Sequence, residues 1–74
     1  MFEPRAPNYL VTLRDDVNAY DEVARFEALY GFSATAVWTA IGNGFAAEFD
    51  ADVREMLRCE PTVAYVAYDA ILHI

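Results

Sequence analysis

The residues that could carry chemistry in this chain are few and widely spaced. His73 is the only histidine and Cys59 is the only cysteine. The histidine and cysteine clusters typical of zinc sites, and triads built around histidine, are therefore out of reach within one chain unless these two residues happen to meet. We interpret Cys59 as a small apolar residue that fills part of the core, as single buried cysteines usually do.

The loop after the first predicted strand also lacks the features of a binding site. Asp15 and Asp16 could bind a cation, but adjacent acids before a helix are typical of a solvated N-terminal turn. Some small enzymes hold an acyl phosphate in such a loop with backbone N–H groups and an arginine, whereas Arg14 is followed here by two carboxylates and no glycine. Gly42-Asn43-Gly44 is too short for a phosphate loop and is interpreted as a turn. We expect no enzymatic activity, no metal and no cofactor.

The composition limits the size of the domain and the classes of partner. The 74 residues are 57% apolar, which suffices for the core of one small domain without disulfides. Five arginines, no lysine and twelve carboxylates give a net charge of −7, so we expect neither a nucleic-acid nor a membrane partner. A single cysteine and the lack of a signal-like apolar run near the start predict a cytoplasmic location.

The first half of the chain predicts a strand and then a helix. Residues 1–7 hold two prolines without periodicity and are interpreted as a loose N-terminal arm. Residues 9–13 predict a strand. One of its faces carries Tyr9, Val11 and Leu13. Asn18 is predicted to cap a helix that ends at Gly31.

The second half predicts a hairpin, a short helix and a last strand. Residues 33–41 and 45–49 flank the glycine-rich turn as two strands. Asp50 is predicted to cap a helix that Pro61 stops. The predicted buried stripe of that helix is Val53, Met56 and Leu57. Residues 63–69 form the last strand.

The order β-α-β-β-α-β predicts an α+β, ferredoxin-like fold, in which a four-stranded antiparallel sheet carries two helices on one face. All 74 residues are expected to form one domain. Trp38 and Tyr65 are candidates for the uncovered sheet face, where the negative charge favours docking on a protein over stacking on a base. Alternation places Trp38 opposite Val37 and Thr39 without deciding which of the two faces is covered, so a core position stays open.

Four stretches, taken in order, resemble a known family. They are Y-L-V-T-L near the start, Tyr30-Gly31-Phe32 after the first helix, G-F-A-A-E-F after the turn, and P-T-V-A-Y-V-A-Y-D near the end. The chain resembles the inhibitor I9 family, which comprises the propeptides of subtilisin-like serine proteases and small fungal cytosolic inhibitors. The resemblance covers nearly the whole chain from Asn8 onward.

This resemblance implies an inhibitor of a subtilisin-like serine protease that is monomeric when free. In relatives the uncovered sheet face packs on two surface helices of the protease, while the C-terminal tail runs through the substrate cleft as a bound product. The predicted docking face comprises Trp38, Tyr65, Ala67 and Asp69. The predicted cleft-binding tail comprises Ala70, Ile71, Leu72, His73 and Ile74.

Two positions near the tail bear on the strength of such an inhibitor. Asp69 matches the second of the family's two acids, which point at the N-termini of the protease helices. Ala67 stands where the family usually has a glutamate, and the tail after Asp69 is about one residue shorter than in many relatives.

Two alternatives to a stand-alone inhibitor remain open. One is an excised propeptide that acts as an intramolecular chaperone, which a longer precursor would reveal. The other is a ferredoxin-like interaction module that dimerises through its uncovered sheet and buries Trp38 and Tyr65 against a second copy.

Overall fold

A computed structural model describes residues 8–40 and 42–68 of the chain. Its elements in chain order are β1 (Asn8–Leu13), α1 (Ala19–Tyr30), β2 (Ala34–Trp38), β3 (Gly44–Glu48), α2 (Ala51–Arg58) and β4 (Val63–Tyr68). The strands form one antiparallel sheet in the order β2-β3-β1-β4. The predicted ferredoxin-like β-α-β-β-α-β fold is confirmed. The predicted arm at 1–7, Asp69 and the predicted tail at 70–74 lie outside the described residues.

Both helices begin at the capping residues that the sequence predicts. The side chain of Asn18 accepts a hydrogen bond of 3.1 Å from the backbone N–H of Asp21, and Asp50 accepts one of 3.0 Å from Val53. Gly31 ends α1 in the left-handed conformation, with φ at 79°, which costs a residue with a Cβ about 1–2 kcal/mol. Local side-chain chemistry thus fixes the starts of both helices and the end of α1.

The core lies between the helices and one face of the sheet. Burial alternates along β1, where Tyr9, Val11 and Leu13 are buried and the residues between them are partly exposed. Phe26 of α1 and Leu57 of α2 are fully buried in the same cluster. Its other members are Ala19, Val23, Phe32, Phe45, Ala47, Phe49 and Val63. Stacked rings connect distant parts of the chain, with Tyr9 and Phe49 at 4.8 Å and Phe32 and Phe45 at 5.7 Å between centroids.

Two residues predicted to be buried are exposed. Met56 is 46% exposed, so the predicted stripe of α2 narrows to Val53 and Leu57, which are one helical turn apart. The physical reason is the short length of α2, whose eight residues present only one i, i+4 pair to the sheet. Cys59 follows the last turn of this helix and is also exposed, so its interpretation as a core residue was wrong.

A polar cluster, here called the Arg25 network, fixes the loop that leads into β4. Its members are Glu22, Arg25, Tyr30, Glu60 and Thr62. Glu60 accepts hydrogen bonds from the Tyr30 hydroxyl at 2.6 Å and from Arg25 at 3.0 Å. Glu22 accepts from Arg25 at 2.8 Å and from the Thr62 hydroxyl at 2.6 Å. The network therefore ties α1 to the segment just before β4.

The same contacts shift the pKa values of the carboxyl groups in this network. The Arg25 guanidinium lowers the pKa of Glu22 below its ordinary value, with a smaller contribution from the Thr62 hydroxyl. The Tyr30 hydroxyl, and then Arg25, lower the pKa of Glu60. The pKa of Tyr30 is raised, chiefly because its hydroxyl donates to Glu60. The ionised carboxylates and the neutral phenol are thus the forms that stabilise the fold.

Candidate functional site

The sheet face opposite the helices is assembled from all four strands. The register places Trp38 of β2 opposite Gly44 of β3, Gly44 opposite Thr12 of β1, and Thr12 opposite Tyr65 of β4. Residues directly opposite one another in antiparallel strands project from the same face. These four residues therefore form one row across the sheet, here called the tryptophan row.

A second row lies beside the first and consists of small and aliphatic residues. Its members, in sheet order, are Ala36, Ala46, Leu10 and Ala67. Ala46 is only 7% exposed, yet it does not belong to the core cluster beneath the helices. The two rows together are called the open face below.

Three of the four predicted docking residues lie on this open face. Trp38 is partly buried there, whereas its neighbour Val37 packs against the core. Trp38 therefore lies on the uncovered face and not in the core, which alternation alone did not decide. Tyr65 is 60% exposed, and Ala67 is partly exposed two residues further along β4. Asp69, the fourth residue, lies outside the described part of the chain. The role of all four in docking stays a prediction.

Gly44 is a residue of this face whose importance sequence reasoning missed, because it was assigned to the preceding turn. A Cβ built at Gly44 would lie 3.0 Å from Cζ2 and 3.2 Å from Cε2 of Trp38, and would also meet the backbone carbonyl oxygen of Val11. The indole ring therefore lies directly over this backbone. A glycine at the start of a strand, with an aromatic residue on the adjacent strand, was the available signal.

The loop between β1 and α1 is held in place by hydrogen bonds to two other loops. Arg14 donates from Nε to the carbonyl oxygen of Pro61 at 2.9 Å. The side chain of Asn43 donates to the carbonyl oxygens of Arg14 and Val17, which braces this loop against the β2–β3 turn. Asp15 and Asp16 form an exposed turn, as predicted.

Within residues 8–40 and 42–68, no group of three or more histidine, cysteine or acidic side chains is placed to hold a metal ion. In the same part of the chain, neither helix has the length and apolar character needed to cross a membrane. The arrangement that the described residues do offer is a broad surface with aromatic side chains at two edges, which is suited to contact with another macromolecule.

Comparison with known proteins identifies the family to which the chain belongs. Residues 18–74 match the peptidase inhibitor I9 family. The chain belongs to this family. A relative of this I9 chain is Proteinase R of Parengyodontium album, with 38% identity over 69 residues that cover 93% of the chain and 18% of Proteinase R. The I9 chain thus spans less than a fifth of the length of that relative. The family suggested by the sequence motifs is confirmed.

In this I9 chain, β4 belongs to the open face and is the last strand before the predicted tail in the sequence. It contributes Tyr65 and Ala67 to the open face, and its first residue, Val63, is buried in the core. The Arg25 network holds the loop before β4, and the backbone N–H of Arg14 donates to the carbonyl oxygen of Thr62 at 2.9 Å. The segment that leads into β4 is therefore anchored from α1 and from Arg14, which directly follows β1.

Proposed function

We propose that this I9 chain inhibits a subtilisin-like serine protease. In this proposal the open face docks on the protease surface, and residues 70–74 enter the substrate cleft as a product mimic. The observation that carries the proposal is the match to the peptidase inhibitor I9 family over residues 18–74. The relationship to Proteinase R supports a protease as the partner.

The shape of the open face is compatible with docking on helices. Its two aromatic residues, the partly buried Trp38 and the exposed Tyr65, belong to the edge strands β2 and β4. The central strands contribute Gly44, which the Trp38 ring covers, and Thr12 to the same row. The smaller Thr12 between the Trp38 ring and Tyr65 leaves a shallow channel, in which a partner helix can approach the sheet. Aromatic residues of this kind often dominate binding energy at interfaces.

The carboxylate of Asp69 has a proposed role beside this channel. Asp69 follows Tyr65 and Ala67 at two-residue intervals in the sequence, which is the spacing of one face of a strand. We place its carboxylate at the N-terminus of a protease helix, where backbone N–H groups and the helix dipole favour negative charge. Asp69→Ala should then weaken inhibition without changing thermal stability, whereas Asp16→Ala, in the exposed turn, is the matched control and should change neither.

Deletion of Ile71 to Ile74 tests the cleft-binding role of the tail. The described core and all four strands end before this segment, so the melting temperature should stay close to that of the full chain. Inhibition of a purified subtilisin-like protease should be lost, because only docking of the open face remains. A truncated chain that inhibits as well as the full one would exclude the tail mechanism. A full chain that inhibits no such protease would exclude the proposed function.

A second candidate is an excised propeptide that assists the folding of its own protease. It is favoured by the coverage of Proteinase R, of which the chain matches 18%. The test is refolding of a denatured subtilisin-like protease with and without the chain added in trans. Faster recovery of protease activity at equimolar chain supports this role, and an unchanged recovery rate contradicts it.

The monomeric state and the cytoplasmic location of the chain stay predictions. Size-exclusion chromatography at low concentration tests the first, since a module that dimerises through the open face would elute as a dimer.

A further inference from the structure

The Trp38 ring can occupy its position because Gly44 has no side chain. The indole atoms Cζ2 and Cε2 lie within 3.0 and 3.2 Å of where a Cβ at Gly44 would be. Such separations are shorter than ordinary van der Waals contact between carbon atoms, which is about 3.5–4.0 Å. The ring therefore rests against the backbone of β3, and over an alanine it has to move away by a few tenths of an ångström.

The neighbours of Trp38 on the open face offer little other support for the ring. Ala46 lies one step diagonally across on β3, and Ala36 lies two residues back on β2; both end at a methyl group. Gly44 is the neighbour at which an added Cβ would crowd the ring. Since Trp38 is on an edge strand of the sheet, a ring that turned upward would narrow the channel between Trp38 and Tyr65.

We infer that Gly44 is a positioning residue for protease docking, which acts by letting the indole of Trp38 rest close against the backbone of β3 on the open face. This inference rests on the proposed function. In this position the ring stays close to the sheet. A β-carbon at position 44 pushes the ring away from the sheet, toward the space that the partner occupies.

A double-mutant cycle tests whether Gly44 acts through Trp38. Trp38→Ala should raise the inhibition constant about 10- to 100-fold, as loss of a large aromatic contact at an interface does. Gly44→Ala alone should raise it at least about 10-fold. In the Trp38→Ala background, Gly44→Ala should add no more than about twofold, because no ring remains to be displaced. Equal effects of Gly44→Ala in both backgrounds would overturn the inference.

Stability measured on the same variants separates positioning from a general loss of structure. Gly44→Ala should lower the melting temperature in both backgrounds, because its Cβ also meets the backbone carbonyl of Val11. Gly42→Ala is the matched control: Gly42 has φ at +82°, and no heavy atom lies within 4 Å of the place that a Cβ would take there, so the substitution strains the backbone without touching the ring. It should lower stability but leave the inhibition constant within about twofold. A loss of inhibition in Gly42→Ala equal to that in Gly44→Ala would overturn the inference.

A spectroscopic measurement on the unmodified chain covers the case in which Gly44→Ala does not fold. A ring this close to Gly44 displaces the NMR resonances of its Hα protons from their ordinary positions, and this displacement should disappear in Trp38→Leu. Ordinary Gly44 shifts that are the same in both proteins would overturn the inference. Trp38 is the only tryptophan of the chain. Its fluorescence should therefore also move to shorter wavelength when a protease that the chain inhibits is added. If the full chain inhibits no subtilisin-like protease, the proposed function fails, while the NMR and stability measurements still test the contact between Gly44 and Trp38.

Discussion

Replacement of Glu60 by glutamine tests how strongly the Arg25 network holds the loop before β4. The carboxylate of Glu60 accepts from the Tyr30 hydroxyl at 2.6 Å and from Arg25 at 3.0 Å, and its side chain is only 17% exposed. Glutamine has nearly the same shape and keeps one oxygen acceptor. The substitution therefore removes the charge while leaving the packing intact.

The expected loss in the free energy of unfolding at neutral pH is about 1.5 kcal/mol. A hydrogen bond to a charged group contributes about 1.5–3 kcal/mol and one between neutral groups about 0.5–1.5, so the change at Tyr30 costs about 1 kcal/mol. The contact with Arg25 adds only about 0.5 kcal/mol, because the arginine side chain is 42% exposed and solvent screens such pairs. For a domain of this size the melting temperature should fall by about 6–12 °C.

The pH dependence of this loss has a definite sign. The folded-state pKa of Glu60 is lowered by the Tyr30 hydroxyl and by Arg25 from an ordinary value of 4.5. Its stabilising contribution is complete above that ordinary value and disappears as the pH falls through the lower folded-state pKa. Glutamine does not titrate, so thermal unfolding of the two proteins, followed by circular dichroism, should give melting temperatures that converge in acid.

Glu55→Gln is the matched control for this experiment. Glu55 bonds Arg58 at 2.7 Å, but both side chains are more than half exposed, so solvent screens the pair and the substitution should leave the melting temperature nearly unchanged. The reasoning is refuted if Glu60→Gln melts with the unmodified chain at neutral pH, or if Glu55→Gln is equally destabilising. A gap between Glu60→Gln and the unmodified chain that stays constant in acid would show that the charge of Glu60 is not its cause.

Two further substitutions test local features by urea denaturation. Gly31→Ala should cost about 1–2 kcal/mol through backbone strain alone, since φ is +79° and no heavy atom lies within 4 Å of the added Cβ; no loss would mean that the left-handed cap is not populated. Asn43→Ala should cost about 1–3 kcal/mol, because the carbonyl oxygens of Arg14 and Val17 lose their side-chain donor. A cost below about 0.5 kcal/mol would show that water replaces the amide at no penalty.

The parts of the fold that sequence predicts well are those decided by neighbouring residues. Asn18 and Asp50 cap their helices through N–H groups three residues away, and Gly31 ends α1 through its own backbone conformation. The period of a strand sufficed to predict that Tyr9, Val11 and Leu13 of β1 share one face, which the structure shows to be the buried face. Each of these features is complete within a short stretch of the chain, so the residues themselves carry the information.

The structural features that the sequence did not predict depend on contacts between separate helices and strands. Exposure of Met56 follows from the narrow contact between a two-turn helix and the sheet. The face of Trp38 depends on strand register, which in β2 is interrupted by an irregularity between Ala34 and Ala36. The bond between Glu60 and Tyr30 joins residues thirty positions apart, for which no local pattern exists. The support of Trp38 by Gly44 likewise appears only when β2 and β3 are paired.

The strand order β2-β3-β1-β4 also has a consequence for synthesis of the chain. Strand β1 is made first and pairs with β4, which is made last, so Thr12 and Tyr65 become neighbours only after nearly every described residue has been added. Contacts between such distant segments close late and slow the folding of small domains. A nascent chain that stops before Val63 contains Trp38 of the open face but not Tyr65. The proposed docking through this surface therefore requires a chain whose translation has passed β4.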